Sequence, residues 1–261
     1  MNRTWRFTDI EFFVLWDSLK EGPLPPPLVF TSRTPLHDDF VRELVETQDA
    51  LRSRVDSSFD EVLDVLLHPD IKIVVDGWDG ADADDPKRCV RQYAARKGDR
   101  GYVVTQLPGE TIWHSGGFVI TETEAIALAD AVVAALPEAE PGRQSGIVLA
   151  DADGGDELDY SYGRSAVADS FEESAPGRAA RFLRAPAVTI GTIAVVQGWS
   201  RFGPRGIVRR EIGWRDIEED GRYAIAPDTS SAVVGVTTDR LRTMINTEIA
   251  VVVGAIKDER I

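Results

Sequence analysis

Apolar positions along the chain fall first at helical spacing, then in alternation, and then repeat that order. The stretch TDIEFFVLWDSLK has capping-box spacing between Thr8 and Glu11, with Ile10, Phe13, Val14 and Leu19 expected on the core side of the helix. Pro23, Pro25, Pro26 and Pro27 end it, and LVFTS is expected as a short strand. A second helix is expected from Thr34 as cap, with Pro35 in its first turn, past Phe40, Val41, Leu44 and Leu51. Ser58 and Glu61 repeat the capping-box spacing and open a third helix through Leu66, stopped before Pro69.

The period then changes. IKIVVDGW, RCVRQYAARK, YVVTQL and TIWHSGGFVI alternate and are separated by turn residues, which predicts an antiparallel meander. Thr121 and Glu124 are expected to cap a helix through AIALADAVVAALP, ended by Pro137. Residues 138–177 lack a clear period, and PGRAARFLRA reads as a short helix closed by Pro186. AVTIGTIAVVQGW, RGIVRREIGW, GRYAIAP and SAVVGV are again strand-like, and Thr238 begins a last helix. The expected fold class is α+β: a central, largely antiparallel sheet with helical bundles. It would consist of two similar βββα-like subdomains, 1–137 and 138–261, related by a pseudo-twofold.

Composition changes this picture mainly by exclusion. The chain has 261 residues, 43% hydrophobic and 28% charged, enough for a sizeable core. Its 44 Asp and Glu against 29 Lys and Arg give a formal charge of −15, which repels phosphates and argues against nucleic acid or anionic membrane as partner. Cys89 is the single cysteine, so neither an internal disulfide nor a cysteine zinc site can form. MNRTWRFTDIEFF has no signal-peptide pattern and the apolar runs are too short to span a bilayer, so a cytoplasmic protein is expected.

Candidate chemistry is thin. His37 and His68 sit near helix ends, in roles that suit surface or cap residues. His114 precedes Ser115, yet the chain has no G-x-S-x-G elbow. In DADGGDELDYSY the acids Asp151 and Asp153 have calcium-loop spacing, but the third falls at Asp156 and Tyr162 stands where a bidentate Glu is needed. No Gly-rich phosphate loop is present. Neither catalytic residue, metal nor cofactor is assigned, and a binding protein is expected. The alternative is a small-molecule-binding or catalytic α+β domain, with His114 and Ser115 in a pocket between the halves.

Three stretches carry a resemblance: Trp5 with Thr8-Asp9-Ile10-Glu11-Phe12, the exit Leu24-Pro25-Pro26-Pro27-Leu28, and WRDIEEDGRYAIAP from Trp214. Together with the helix ending at Leu136-Pro137, the chain resembles the EspG proteins, cytosolic chaperones of actinobacterial ESX (type VII) secretion systems. The resemblance implies two similar subdomains about a central antiparallel sheet. It further implies binding to the PPE subunit of a PE–PPE heterodimer, without nucleotide, by covering an exposed apolar tip. The family's client surface uses the loop between the second and third strands and the C-terminal helical bundle. Here those are Asp82, Asp84 and Asp85, and Phe171, Arg178, Phe182 and Leu183.

Overall fold

The computed structural model describes residues 3–20, 22–149, 175–226 and 232–259. In chain order its elements are β1 (Thr4–Phe7), α1 (Asp9–Asp17), α2 (His37–Arg54), α3 (Ser58–Leu67), β2 (Ile71–Asp79), β3 (Val90–Lys97), β4 (Arg100–Pro108), β5 (Ser115–Glu124) and α4 (Leu128–Ala134). There follow β6 (Ile147–Val148), α5 (Ala175–Arg184), β7 (Ala187–Gln197), β8 (Arg209–Ile217), β9 (Gly221–Ile225), β10 (Ala232–Gly235) and α6 (Thr238–Asp258).

The strands form one sheet in the order β1-β5-β4-β3-β2-β7-β8-β9-β10-β6. Neighbours pair antiparallel throughout, so the fold is α+β as the pattern predicts. One meander, β2 to β5, leads into α4; a second, β7 to β10, leads into α6. Each has the four strands that its alternating segments predict, one more than the βββα label counts. They meet at their first strands, which run against each other from Ile71 opposite Gln197 to Asp79 opposite Thr189.

Both faces of the sheet are covered. On one, α4 and α6 bury Leu128, Val132, Leu241, Ile245 and Val252 against Ile73, Val75, Ile193 and Val195. On the other, α1 and α3 bury Phe12, Phe59 and Leu66 against Tyr93, Tyr102, Val104 and Phe118. A smaller cluster around Phe182, Ile217, Tyr223 and Val233 seats α5 on the second meander. Trp214 explains two glycines at the seam. Gly77, Gly191 and Trp214 stand in register on neighbouring strands, and a Cβ on Gly77 would lie 2.8 Å from Cζ2 of the indole.

Several local expectations are corrected. The capping box at Thr8 forms, with Thr8 N–H donating to Glu11 at 2.8 Å and Glu11 N–H to the Thr8 hydroxyl at 3.3 Å. The buried side of α1 is nevertheless Phe12, Val14 and Trp16; Ile10, Phe13 and Leu19 are only partly covered. α1 is apolar almost all round, held between Phe118 of the sheet and a stack of Phe13 on Phe30 at 4.2 Å, so spacing alone does not set its phase. LVFTS is not a strand: Val29 N–H donates to the Gln106 side chain at 2.8 Å instead of to a ladder.

α2 starts at His37 rather than next to Thr34, whose hydroxyl is drawn away to Glu43. Ser58 lies inside α3 rather than capping it; its N–H donates to Asp56 at 2.8 Å, and Glu61 reaches across to Arg100. Thr121 to Glu124 cap nothing. They complete β5, kept extended by pairing with Arg100 to Val103, and α4 begins at Leu128.

Candidate functional site

The loop between β2 and β3 is an acidic projection built by its own carboxylates. Asp79, at the end of β2, accepts the N–H groups of Ala81 and Asp82, both at 2.8 Å, and faces Arg88 at 3.1 Å. Those N–H groups, aided by the Arg88 charge, hold its carboxyl below the usual range. Asp82 accepts from Asp84 N–H at 3.1 Å, and Asp85 caps the short turn Pro86–Arg88 by accepting from Lys87 N–H at 3.0 Å. Asp82 and Asp84 are exposed and Asp85 is partly so. The carboxylates that shape the loop thus also set its negative surface.

α5 lies beside this loop. Gly80 at the loop root is packed against the backbone of Ala187, which opens β7 just after α5. Phe182 is fully buried, edge-on to Tyr223 at 5.1 Å and covered by the Arg215 guanidinium at 5.3 Å. It therefore anchors the helix and offers no surface to a partner, which corrects its expected contact role. Leu183, the next residue, is 52% exposed. Arg215 also donates to the Leu183 carbonyl at 3.3 Å, satisfying the helix end, and Arg178 Nε donates to the Gly146 carbonyl at 3.1 Å. Phe171 and the Asp151–Tyr162 stretch lie outside the described residues.

A groove of about 460 Å³ runs under the acidic loop, walled by Lys87, Arg88 and Arg91 where the loop returns to β3, and by the apolar pairs Leu107 and Pro108, Leu136 and Pro137, and by Val188 with Thr189. None of these was marked as a site by the sequence. The three pairs come from segments far apart in the chain, and only the sheet register brings them together. The exposed carboxylates Asp82 and Asp84 stand on the loop, while the groove at its base is walled by apolar residues and by the cations Lys87, Arg88 and Arg91, a mixed surface that suits a protein partner with an apolar centre and charged surroundings.

Comparisons with known proteins bear on this geometry. The model of the EspG family matches residues 8–247. The chain belongs to the EspG family. Its fold is similar to that of the Mycobacterium tuberculosis type VII secretion system chaperone EspG5, solved in complex with the PE25–PPE41 dimer. The two are 14% identical over 95% of each chain, with a TM-score of 0.53. Comparison with curated proteins gives no match.

In this EspG-family chain, His114 and Ser115 are separately engaged. His114 Nδ1 lies 2.7 Å from the Thr111 hydroxyl, and its Nε2 is 4.0 Å from Glu110. The Ser115 hydroxyl is buried and bonded to the backbone of Gly117 at 3.0 and 3.1 Å. Nucleophile–base geometry requires a direct hydrogen bond between the two, and the hydroxyl is turned to Gly117 instead. Glu110 forms a bidentate pair with Arg33, at 2.7 Å to each oxygen. Among the described residues no helix is long and apolar enough to cross a membrane.

Proposed function

We propose that this protein is a cytoplasmic, non-enzymatic secretion chaperone that binds the PPE subunit of a PE–PPE heterodimer and delivers it to an ESX type VII secretion system. The observation that carries the proposal is the match of the EspG family over residues 8–247, together with an EspG5-like fold over 95% of the chain. EspG5 was solved in complex with the PE25–PPE41 dimer.

The surface proposed for the client is the corner of Asp82, Asp84 and Asp85 with the exposed side of α5, including Arg178 and Leu183; the expected Phe171 contact belongs to the same proposal. The acids on the loop would pair with basic client residues and steer association, and Leu183 with the apolar groove walls would cover the apolar tip. Binding alone keeps such a tip from self-association, so no hydrolysis step is needed. The two halves, 1–137 and 138–261, are proposed to act as similar subdomains joined at the β2–β7 seam.

Co-expression with PE–PPE pairs from the same genome, purified through a tag on this chain, tests the reading. A stoichiometric ternary complex is expected, lost when an apolar residue at the PPE tip is made charged. Failure with every pair, each soluble without this chain, overturns it.

A further inference from the structure

The seam between β2 and β7 generates a second corner built like the first. Where β2 ends, Gly80 N–H donates to Val188 at the start of β7, at 3.5 Å; where β7 ends, Gly198 N–H donates to Asp70 at the start of β2, at 2.9 Å. A side chain on Gly80 would run into the Ala187 carbonyl, and one on Gly198 into that of Pro69. The β7–β8 loop therefore stands to α3 as the β2–β3 loop stands to α5, at the opposite end of the sheet.

The two corners carry opposite chemistry. Between Gly198 and Arg210 the sequence has four arginines and no carboxylate, in a chain of net charge −15. Arg209 and Arg210 are matched by Glu211 at 2.7 Å and Glu248 at 2.9 Å. Arg201 turns back to the Glu259 carbonyl at 2.9 Å, while Arg205 is exposed and has no carboxylate partner among the described residues. Trp199 and Phe202 project from the same loop, 73% and 69% exposed, with the Arg201 guanidinium 5.5 Å from the Phe202 ring. A hollow of about 410 Å³ opens beside Trp199 and Arg201, against Leu67, His68, Pro69 and Ile256, with Asp70 and Glu259 also in its wall.

The loop is held firmly. The Glu259 carboxylate accepts from Gln197 at 2.9 Å, from Ser200 at 2.8 Å and from Arg201 N–H at 3.0 Å. Those bonds fix the Glu259 side chain against the loop. Of the carboxylates near by, Asp64 is paired with Lys97 at 2.7 Å, and Asp70 accepts from Gly98 N–H at 2.9 Å. What the loop leaves open to solvent is the Arg205 guanidinium and two large aromatic side chains, Trp199 and Phe202. Trp, Arg and Phe presented on a rigid hairpin are the side chains that dominate protein interfaces.

We propose that this corner is a second docking surface, for an acidic protein segment carrying a bulky apolar side chain. The apolar group fills the hollow against Trp199, and a carboxylate pairs with Arg205 on the same loop. The acidic corner repels such a segment, so the two ends of the sheet select partners of opposite charge and can be occupied at once.

A random peptide library displayed on phage, panned on the intact protein and counter-selected on the Trp199→Ala/Arg205→Glu double variant, tests this. Both residues are exposed, so the variant is expected to melt like the parent, which circular dichroism checks. The expected result is enrichment of peptides with Asp or Glu beside Leu, Phe or Trp. Their affinity, read by fluorescence anisotropy, should fall about tenfold or more in each single variant and stay unchanged in Asp84→Lys. No preference for the parent over the variant, or enrichment of peptides without acids, overturns the proposal. A change in sedimenting mass in the double variant would assign the corner to a second copy of this chain. Displacement of the peptide by a bound PE–PPE dimer would make the corner part of the client surface, and either result also overturns it.

Discussion

Arg222 grips Asp216 with both ends of its guanidinium, Nε and Nη2 each 2.7 Å from a carboxylate oxygen, and Nη2 also donates to the Pro137 carbonyl at 2.9 Å. The pair is almost wholly buried, at 7% and 9% side-chain exposure. It ties the chain leaving α4 to the β8–β9 hairpin, linking the two meanders by side chain as well as by sheet. Removing one partner strands a buried charge, so Arg222→Met should lower unfolding free energy by about 3 kcal/mol or more. Asp216→Leu/Arg222→Met should recover most of that loss. Urea unfolding of the three variants gives the coupling; a double variant no better than the worse single would refute the account.

Phe182 and Leu183 are neighbours with opposite duties. Phe182→Ala should destabilise by about 3 kcal/mol, because it empties the cluster under α5 and removes the Tyr223 and Arg215 contacts. Leu183→Glu should leave the thermal midpoint within a degree or two, the exposed side chain having little native packing to lose. On the proposed client surface it should weaken PE–PPE binding about tenfold or more. Calorimetry beside a titration of the client separates the effects, and equal binding by parent and Leu183→Glu would remove α5 from the interface.

The seam glycine predicts a coupled pair. Gly77→Ala forces a methyl against the buried Trp214 ring and should destabilise by about 2 kcal/mol. The same change in a Trp214→Leu background should be nearly neutral, since the obstructing ring is gone and the next atom, the Ile190 carbonyl oxygen, lies 3.4 Å away. A double-mutant cycle by chemical unfolding reads the coupling directly, and simple additivity would contradict it.

Acid should loosen the fold over a defined window. The Glu110 carboxyl, hydrogen-bonded to Arg33, titrates at about 2 instead of 4.5. A depressed folded-state value means its stabilisation is present above about pH 4.5 and is lost as pH falls toward 2. Glu11, Asp64, Asp79, Asp220 and Glu259 are shifted in the same direction, whereas burial pushes Asp76 the other way. The melting temperature of Glu110→Gln should lie below the parent's at pH 6 and meet it near pH 2. A gap that stays constant across that range would show that Arg33 does not depend on the Glu110 charge.

The loop between β2 and β3 illustrates how far sequence reasoning reaches. Asp82, Asp84 and Asp85 were legible as an acidic loop between two alternating segments, and the self-capping of Asp79 and Asp85 is the local chemistry such residues favour. Phe182 was expected on the client surface and is buried instead, because a ten-residue helix with apolar and basic residues leaves open which side meets a core. Thr121 and Glu124 misled because cap residues and strand residues overlap in type, and pairing with β4 outweighed the local preference.

What the sequence determined by itself was the kind and order of elements, the acidic character, and the family resemblance in the Thr8 capping box and the proline exit. These follow from interactions within a few residues and from side-chain chemistry that context leaves unchanged. The joining of β2 to β7, the indole of Trp214 over Gly77, the burial of Arg222 with Asp216, and the paired corners at the two ends of the sheet were decided only in the tertiary structure. Each brings together groups many residues apart. Its energy depends on register and on what else is excluded from the same space, and no window of sequence encodes either.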